Sequence, residues 1–434
     1  MAIELLRERL RPYYLKWFYW KLWPGRRPGY FTDAWNKPHF SLWEPAREFA
    51  SPQAGHPDLL FLPMSDWHAR IQRTQHLAME FGARGSRCFY LNPHLGREFP
   101  GLYTSRNTPR VGPLAAGVWE LHIHLPAEPV YHHRLLTARE TDQLVSGIRR
   151  LAHVAKTTRL IQIVSFPLWT EAAERLRDEF GFPIVYDCHD LLGGFTAISE
   201  DVLAAERRLF ETADMACFAS QWLMDETAPD RPAIARKSLV VRNAVSPRDY
   251  AGVVMGNRTG APTVGYVGAL DFWFDAEAIR LSAVRHPEWR FVLIGRIESQ
   301  AIAGLKALPN VFFEGEVPYS ELASRMAGFD VAVIPFLKNP LTMATNPLKL
   351  YEYLCLGIPI VSTRLPETEP FNDLIYLSDD AAGFAHELEQ AMTERDADLR
   401  ARRKEAARNN TWGLRCDQLS ERFRALSGTL GASR

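Results

Sequence analysis

From about Asp58 onward, short apolar runs alternate with stretches whose apolar residues recur at helical spacing. The runs DLLFLPM, SRCFYL, RLIQIVSF, PIVYDC, MACFAS and SLVVRNA are four to eight residues long and nearly continuous in apolar character. That is the pattern of strands buried on both faces of a parallel sheet, with helices between them. Around Ser246 to Pro262 the text changes to SPRDYAGVVMGNRTGAP, rich in Gly and Pro and without periodicity, which reads as a linker. The alternation then restarts with TVGYVGAL, RFVLIG, NVFFEG, VAVIPF, PIVST and IYLSDD, separated by helical patterns such as DAEAIRLSAV and YSELASRMAGF. The expected architecture is α/β, with two Rossmann-like domains facing across a cleft. The boundaries are an N-terminal extension over 1–55, a first domain over 56–247, a linker over 248–262, a second domain over 263–408 and a C-terminal helix over 409–434. In such sheets ligands bind beyond the carboxyl ends of the strands, so the loops that follow strands are where chemistry is expected.

Composition narrows this picture. The 434 residues, 47% of them apolar, suffice for two or three packed cores. Lys plus Arg and Asp plus Glu both number 51, so no overall charge points to nucleic acid, and none is expected as a partner. Five scattered cysteines without a CxxC pair read as reduced thiols. No run approaches eighteen apolar residues and no signal-peptide pattern opens the chain, so a cytoplasmic protein that does not span the membrane is expected.

The most informative stretch is TNPLKLYEYLCLGIPIVS, Thr345 to Ser362. Asn346 reads as an N-cap, Pro347 as the first helical residue and Gly357 as the stop, which predicts a helix of about ten residues. Lys349 then falls in the first turn, where the helix dipole disfavours a cation unless an anion joins it. The amides at a helix start bind phosphate, and Lys349 adds a point charge. Glu352, three residues on, shares that face and could accept hydrogen bonds from paired sugar hydroxyls. The alternative is a surface Lys349–Glu352 ion pair worth a few tenths of a kcal/mol. Gly268 and Gly295 close the first two strands of the second domain, each a point of close ligand approach or a simple tight turn.

The order strand, Gly268, helix, strand, Gly295–Arg296, then FEGEVPYSEL, VAVIPF and NPLKLYEYLCLGIPIVS resembles the nucleotide-sugar-binding half of glycosyltransferases of the GT-B fold. The family it resembles is glycosyltransferase family 4 or a close relative, and the NPLKLYEYL form resembles the subgroup active on bacterial polysaccharides, including teichuronic-acid-type enzymes. The resemblance implies a nucleotide diphosphate sugar donor, UDP- or GDP-linked, a lipid-linked glycan acceptor and retention of the anomeric configuration. It assigns Glu352 to the donor ribose, Lys349 and the amides around Thr345, Asn346 and Pro347 to the diphosphate, and Val317 in EGEVP to the nucleobase. The family's further glutamate, eight residues before Glu352, is replaced here by Ala344. A nucleotide-sugar epimerase of similar architecture and a non-catalytic sugar-nucleotide-binding scaffold are the rival readings.

On the acceptor side, DLLFLPM runs into Asp66 and a helix expected to carry Arg70 and Arg73 on one face, either for acceptor phosphates or as a solvated basic face with Asp66 as N-cap. The strand PIVYDC runs into His189 and Asp190. A lone histidine there is more often structural. The resemblance places His189 near the donor sugar, and with inversion one of the pair would be the general base, whereas with retention the leaving phosphate takes the acceptor proton. Charge on the departing diphosphate would be met by Lys349, Arg296 and helix amides. No DxD loop or His/Cys cluster suggests a metal, and no cofactor is expected.

Residues 1–30 differ from all that follows. They carry a local charge of +5 interleaved with Tyr13, Tyr14, Trp17, Phe18, Tyr19, Trp20 and Trp23. This mixture suits an anionic membrane surface, and peripheral attachment to the inner face of the plasma membrane is the expectation. Packing on the sheet edge and stacking on single-stranded nucleic acid are the alternatives.

Overall fold

The computed structural model describes residues 40–41, 49, 55–65, 67, 70–92, 109–123, 125, 134–228, 232–255 and 260–429. The aromatic and basic segment 1–30 lies outside the described residues, as does Asp66.

Two sheets organise the described chain. The first holds nine described strands: β1 (Phe40–Ser41), β2 (Asp58–Leu62), β3 (Cys88–Leu91), β4 (Arg110–Ala115), β5 (Val118–His122), β6 (Leu160–Val164), β7 (Ile184–Cys188), β8 (Met215–Phe218) and β9 (Ser238–Val240). Their order is β1-β4-β5-β3-β2-β6-β7-β8-β9, parallel from β5 to β9, with β4 antiparallel to β5 and the short edge strand β1 antiparallel to β4. The second holds β10 (Thr263–Val267), β11 (Arg290–Ile294), β12 (Val311–Gly315), β13 (Val331–Ile334), β14 (Ile360–Thr363) and β15 (Tyr376–Ser378), all parallel in the order β12-β11-β10-β13-β14-β15. Every apolar run singled out from the sequence forms one of these strands. The β4–β5 hairpin was not foreseen: Pro113 and Gly117 interrupt its alternation, and Gly117, at φ +70°, fits under the backbone of Gly82.

Strand alternation feeds two cores per sheet. Leu60 and Leu62 of β2 pack with Phe89 and Leu91 on one face, while Leu59 and Phe61 pack with Cys88 and Tyr90 on the other. In the second sheet Val292 and Ile294 join one core, Phe291 and Leu293 the other. The helix Trp412–Thr429 returns to the first sheet. Trp412, Cys416, Leu419 and Phe423 recur at helical spacing and pack on Leu77 and Phe81.

The carboxyl ends of the two sheets meet at a seam bound by buried polar groups. Asn346, 2% exposed, stands at its centre. Its Oδ1 accepts from the Asn243 amide at 2.8 Å and its carbonyl from Asn243 Nδ2 at 2.7 Å, while its Nδ2 donates to Tyr351 Oη and Glu367 Oε2. Glu367, 2% exposed, also accepts from the Gln221 amide and from Arg242 Nε. Arg73 extends the network into the first domain, donating to Asn243 Oδ1 at 3.2 Å and to Asp187 Oδ1 at 2.8 Å. Ser220 Oγ donates to the carbonyl of Ala344 at 2.6 Å. The five cysteines are free thiols.

Removing one partner of a buried ion pair strands the other charge, which costs about 3–5 kcal/mol. Arg73→Ala is therefore expected to lower unfolding free energy by that amount in urea titration, and a loss within the ±0.5 kcal/mol usual for surface changes would contradict the seam assignment.

Candidate functional site

The helix that carries Lys349 and Glu352 runs Leu348–Leu356, nine residues, and ends at Gly357 in the left-handed conformation with φ +71°. Its N-cap is Pro347 rather than Asn346. The reason is tertiary: the Asn346 side chain is engaged by Asn243, Tyr351 and Glu367 across the seam, so it is not free to cap. Lys349 Nζ donates to Glu352 Oε2 at 2.6 Å, as the ion-pair alternative foresaw, but the pair is no surface feature. The Glu352 side chain is 1% exposed and Lys349 21%. Glu352 Oε1 has no hydrogen-bond partner, an unusual state for a buried carboxylate oxygen. Tyr250, from the segment between the domains, lies beside this carboxylate; burial and then the Glu352 charge push its phenol pKa up.

The loops around this helix come from neighbouring strand ends. Thr345 caps the short helix Pro340–Ala344, and its Oγ1 donates to Leu341 O. Val317 is half-buried against the second domain's core. Gly295, at φ +146°, meets the Gly268 carbonyl so closely that a Cβ would lie 1.8 Å from it. These two glycines thus serve the approach of one loop to the other. Arg296 is exposed and turns to Glu298 within its own loop. Ala344 is fully buried and joins the first domain's core.

The acceptor-side arginines part company. The helix begins at Arg73 with Gln72 as its N-cap, and Arg70 precedes it. Arg73 is buried against Asp187, the penultimate residue of β7, whose buried carboxylate needs a counter-charge, so its guanidinium is engaged within the first domain. Arg70 crosses to the second domain instead, its Nη2 lying 2.7 Å from Glu316 Oε1 beside Val317. His189 Nδ1 lies 3.0 Å from the Asp187 carbonyl and its Nε2 3.7 Å from Asp190 Oδ2, with the two side chains 16% and 27% exposed. Burial raises the Asp190 carboxyl above its ordinary range, with His189 and Arg73 pulling the other way. The following turn Leu192–Gly194 packs on Leu341, and Phe195 meets Phe272 and Trp273 edge-on across the seam.

Two groups escaped the sequence reading. His76 lies on the Arg73–Ala83 helix, is 2% exposed, stacks on Trp412 at 5.1 Å and meets Tyr319 edge-on at 5.4 Å. Burial, then the Lys349 and Arg248 cations, lower its pKa to about 3. The loop Asp271–Phe274, which supplies Phe272 and Trp273, carried no recognisable chemical motif. Among the described residues no group of three His, Cys, Asp or Glu is placed to hold a metal ion, and no helix is long and apolar enough to cross a membrane.

The fold is that of the GT-B glycosyltransferases, with two parallel-sheet domains whose strand ends meet. Within it, residues 261–394 match the family Glycosyl transferases group 1, so the similarity to that family lies in the second domain. The chain is 28% identical over 204 residues to the Bacillus subtilis (strain 168) protein that bears the name teichuronic acid biosynthesis glycosyltransferase TuaH. That match covers 43% of this chain and 51% of the relative, so the chain spans about half the length of the curated relative it matches. Among solved structures, sucrose-phosphate synthase from Thermosynechococcus elongatus superposes with a TM-score of 0.65 at 17% identity, over 86% of this chain and 100% of that one. Anabaena HepE in complex with UDP and glucose gives a TM-score of 0.57 at 15% identity, over 84% and 99%. The Arabidopsis thaliana starch synthase IV catalytic domain, bound to ADP and acarbose, gives 0.64 at 12%, over 86% and 100%.

The His76 shift has a definite sign. Its folded pKa lies below the unfolded value of about 6.5, so the associated stability is complete above that pH and is lost as pH falls towards 3. Wild-type unfolding free energy is expected to fall by up to about 1.4 kcal/mol per pH unit below 6.5 through this group alone. Chemical denaturation of His76→Phe at pH 7 and pH 5 should show that slope removed.

Proposed function

We propose that the protein is a glycosyltransferase of polysaccharide biosynthesis, transferring a sugar from a nucleotide diphosphate to a glycan acceptor. The observation that carries this reading is Glu352: a buried carboxylate with one unpartnered oxygen, bonded through the other to Lys349 at the start of a helix inside the matched segment. Ribose hydroxyls would donate to Oε1, and the diphosphate would sit on Lys349 and the free amides of the first helical turn. As the bond from the sugar C1 to the phosphate oxygen breaks and that from C1 to the acceptor oxygen forms, negative charge builds on the leaving diphosphate where those groups stand. With retention the leaving phosphate takes the acceptor proton and His189 positions the sugar; with inversion Asp190, its carboxyl pKa raised by burial, takes it. No resident metal or cofactor enters this scheme. The similar structures that hold UDP or ADP make those nucleotides, with GDP, the first to test.

The replacement of the resemblance's further glutamate by Ala344, a buried residue of the domain contact, favours a second reading, a sugar-nucleotide binder without turnover. Product analysis separates the two.

Lys349→Ala and Glu352→Ala are each expected to weaken nucleotide binding about ten- to hundred-fold in calorimetry, the usual loss for one charge-assisted hydrogen bond. His189→Ala and Asp190→Asn should depress turnover more than donor affinity. Wild-type affinity in both donor-site variants would end this assignment.

The reading extends to a lipid-linked acceptor, with residues 1–30 holding the enzyme on the anionic inner face of the membrane through their charge and tryptophans. Full-length protein is expected to pellet with anionic liposomes at low salt and to be partly released at high salt. Protein lacking residues 1–30 should stay in the supernatant.

A further inference from the structure

His76 belongs to the first domain, yet its surroundings belong mostly to other parts of the chain. Trp412 opens the returning C-terminal helix, Tyr319 opens a second-domain helix, and Lys349 sits at the start of the candidate donor helix. Arg248, Asp249 and Tyr250 contribute from between the domains, where Tyr319 Oη donates to Asp249 Oδ2 and Arg248 reaches Glu80 on His76's own helix.

Both ring nitrogens of His76 are buried without a hydrogen-bond partner, as are Trp412 Nε1 and Glu352 Oε1. A buried imidazole normally satisfies at least one nitrogen, because an unmade hydrogen bond there costs its full desolvation. Here the unsatisfied groups lie on three segments of chain: His76 and Trp412 stack on each other, Glu352 bonds Lys349, and the Lys349 charge acts on His76. Between them they offer donors and an acceptor, the set that a ribose and its attached phosphate would use.

We propose that His76 is a donor-contacting residue supplied by the first domain, hydrogen-bonding the ribose–diphosphate portion of the nucleotide held by Lys349 and Glu352. The proposal rests on the donor-site reading above and adds to it that the nucleotide is gripped from both domains. The neutral imidazole, kept so by burial and by two neighbouring cations, can donate from one nitrogen and accept at the other.

The test compares His76→Phe and His76→Gln with wild type and Lys349→Ala, by calorimetry with UDP, GDP and ADP and by thermal unfolding without nucleotide. Phe keeps the ring against Trp412 and Tyr319 and removes both unsatisfied nitrogens, so the nucleotide-free protein should melt no lower than wild type. Its affinity for the nucleotide that wild type binds best should drop about ten-fold, the loss of one hydrogen bond to a charged or polar ligand, and Gln should recover most of it. If His76→Phe binds as wild type does while Lys349→Ala does not, the donor site stands and the His76 contact falls, its nitrogens then being served by trapped water. A loss of affinity matched by a fall in the nucleotide-free melting temperature would equally overturn it. Wild type that binds none of the three nucleotides would overturn the donor-site reading and this one with it.

Discussion

The arrangement of the two domains depends on one buried side chain, Asn346, and on the polar network it closes. Its amide faces Asn243 from one domain edge and Glu367 and Tyr351 from the other, so donors and acceptors on both sides are satisfied by the same residue. Glu367 in turn holds Gln221 and Arg242, and Arg73 joins Asn243 to Asp187. A fully paired buried network of this kind permits one docking geometry and penalises sliding, because any shift strands a polar group away from water. Apolar packing alone, being non-directional, would not select the relative position so sharply.

That position defines what the candidate donor helix can do. With Asn346 committed to the seam, the helix begins one residue later, Lys349 in its first turn bonds Glu352, and the Glu352 carboxylate is buried beside Tyr250 and Tyr319 with one oxygen unpaired. Burial is what turns an ordinary i,i+3 ion pair into a candidate binding group. On a solvated helix the same pair would be worth a few tenths of a kcal/mol and would say nothing about ligands.

The departure at Ala344 fits the same geometry. The short helix that ends there docks its backbone on Ser220 and its side chain into the first domain's core, so the position contributes to domain contact rather than to the cleft. The cleft rim carries aromatic groups from both sides, Phe195 against Phe272 and Trp273.

Much of the fold was legible in the sequence. Buried parallel strands are continuous apolar runs bounded by Gly, Pro and polar turns, so DLLFLPM or VAVIPF declares itself without any tertiary information. Where that code lapses, as in the β4–β5 hairpin with Pro113 and Gly117, the strands passed unseen. Lys349, Glu352, His189 and Asp190 were legible as candidates because residue type and strand-end position are local properties. The roles of Asn346, Arg70 and Arg73 were not. A side chain's partner is chosen by which segments folding brings alongside, and Asp187, Asn243 and Glu316 lie 114, 170 and 246 positions from the arginines they bind. His76 shows the limit most plainly: in sequence it is an unremarked residue of an amphipathic helix, and burial between Trp412 and Tyr319, set by the return of the chain to the first domain, decides everything about it.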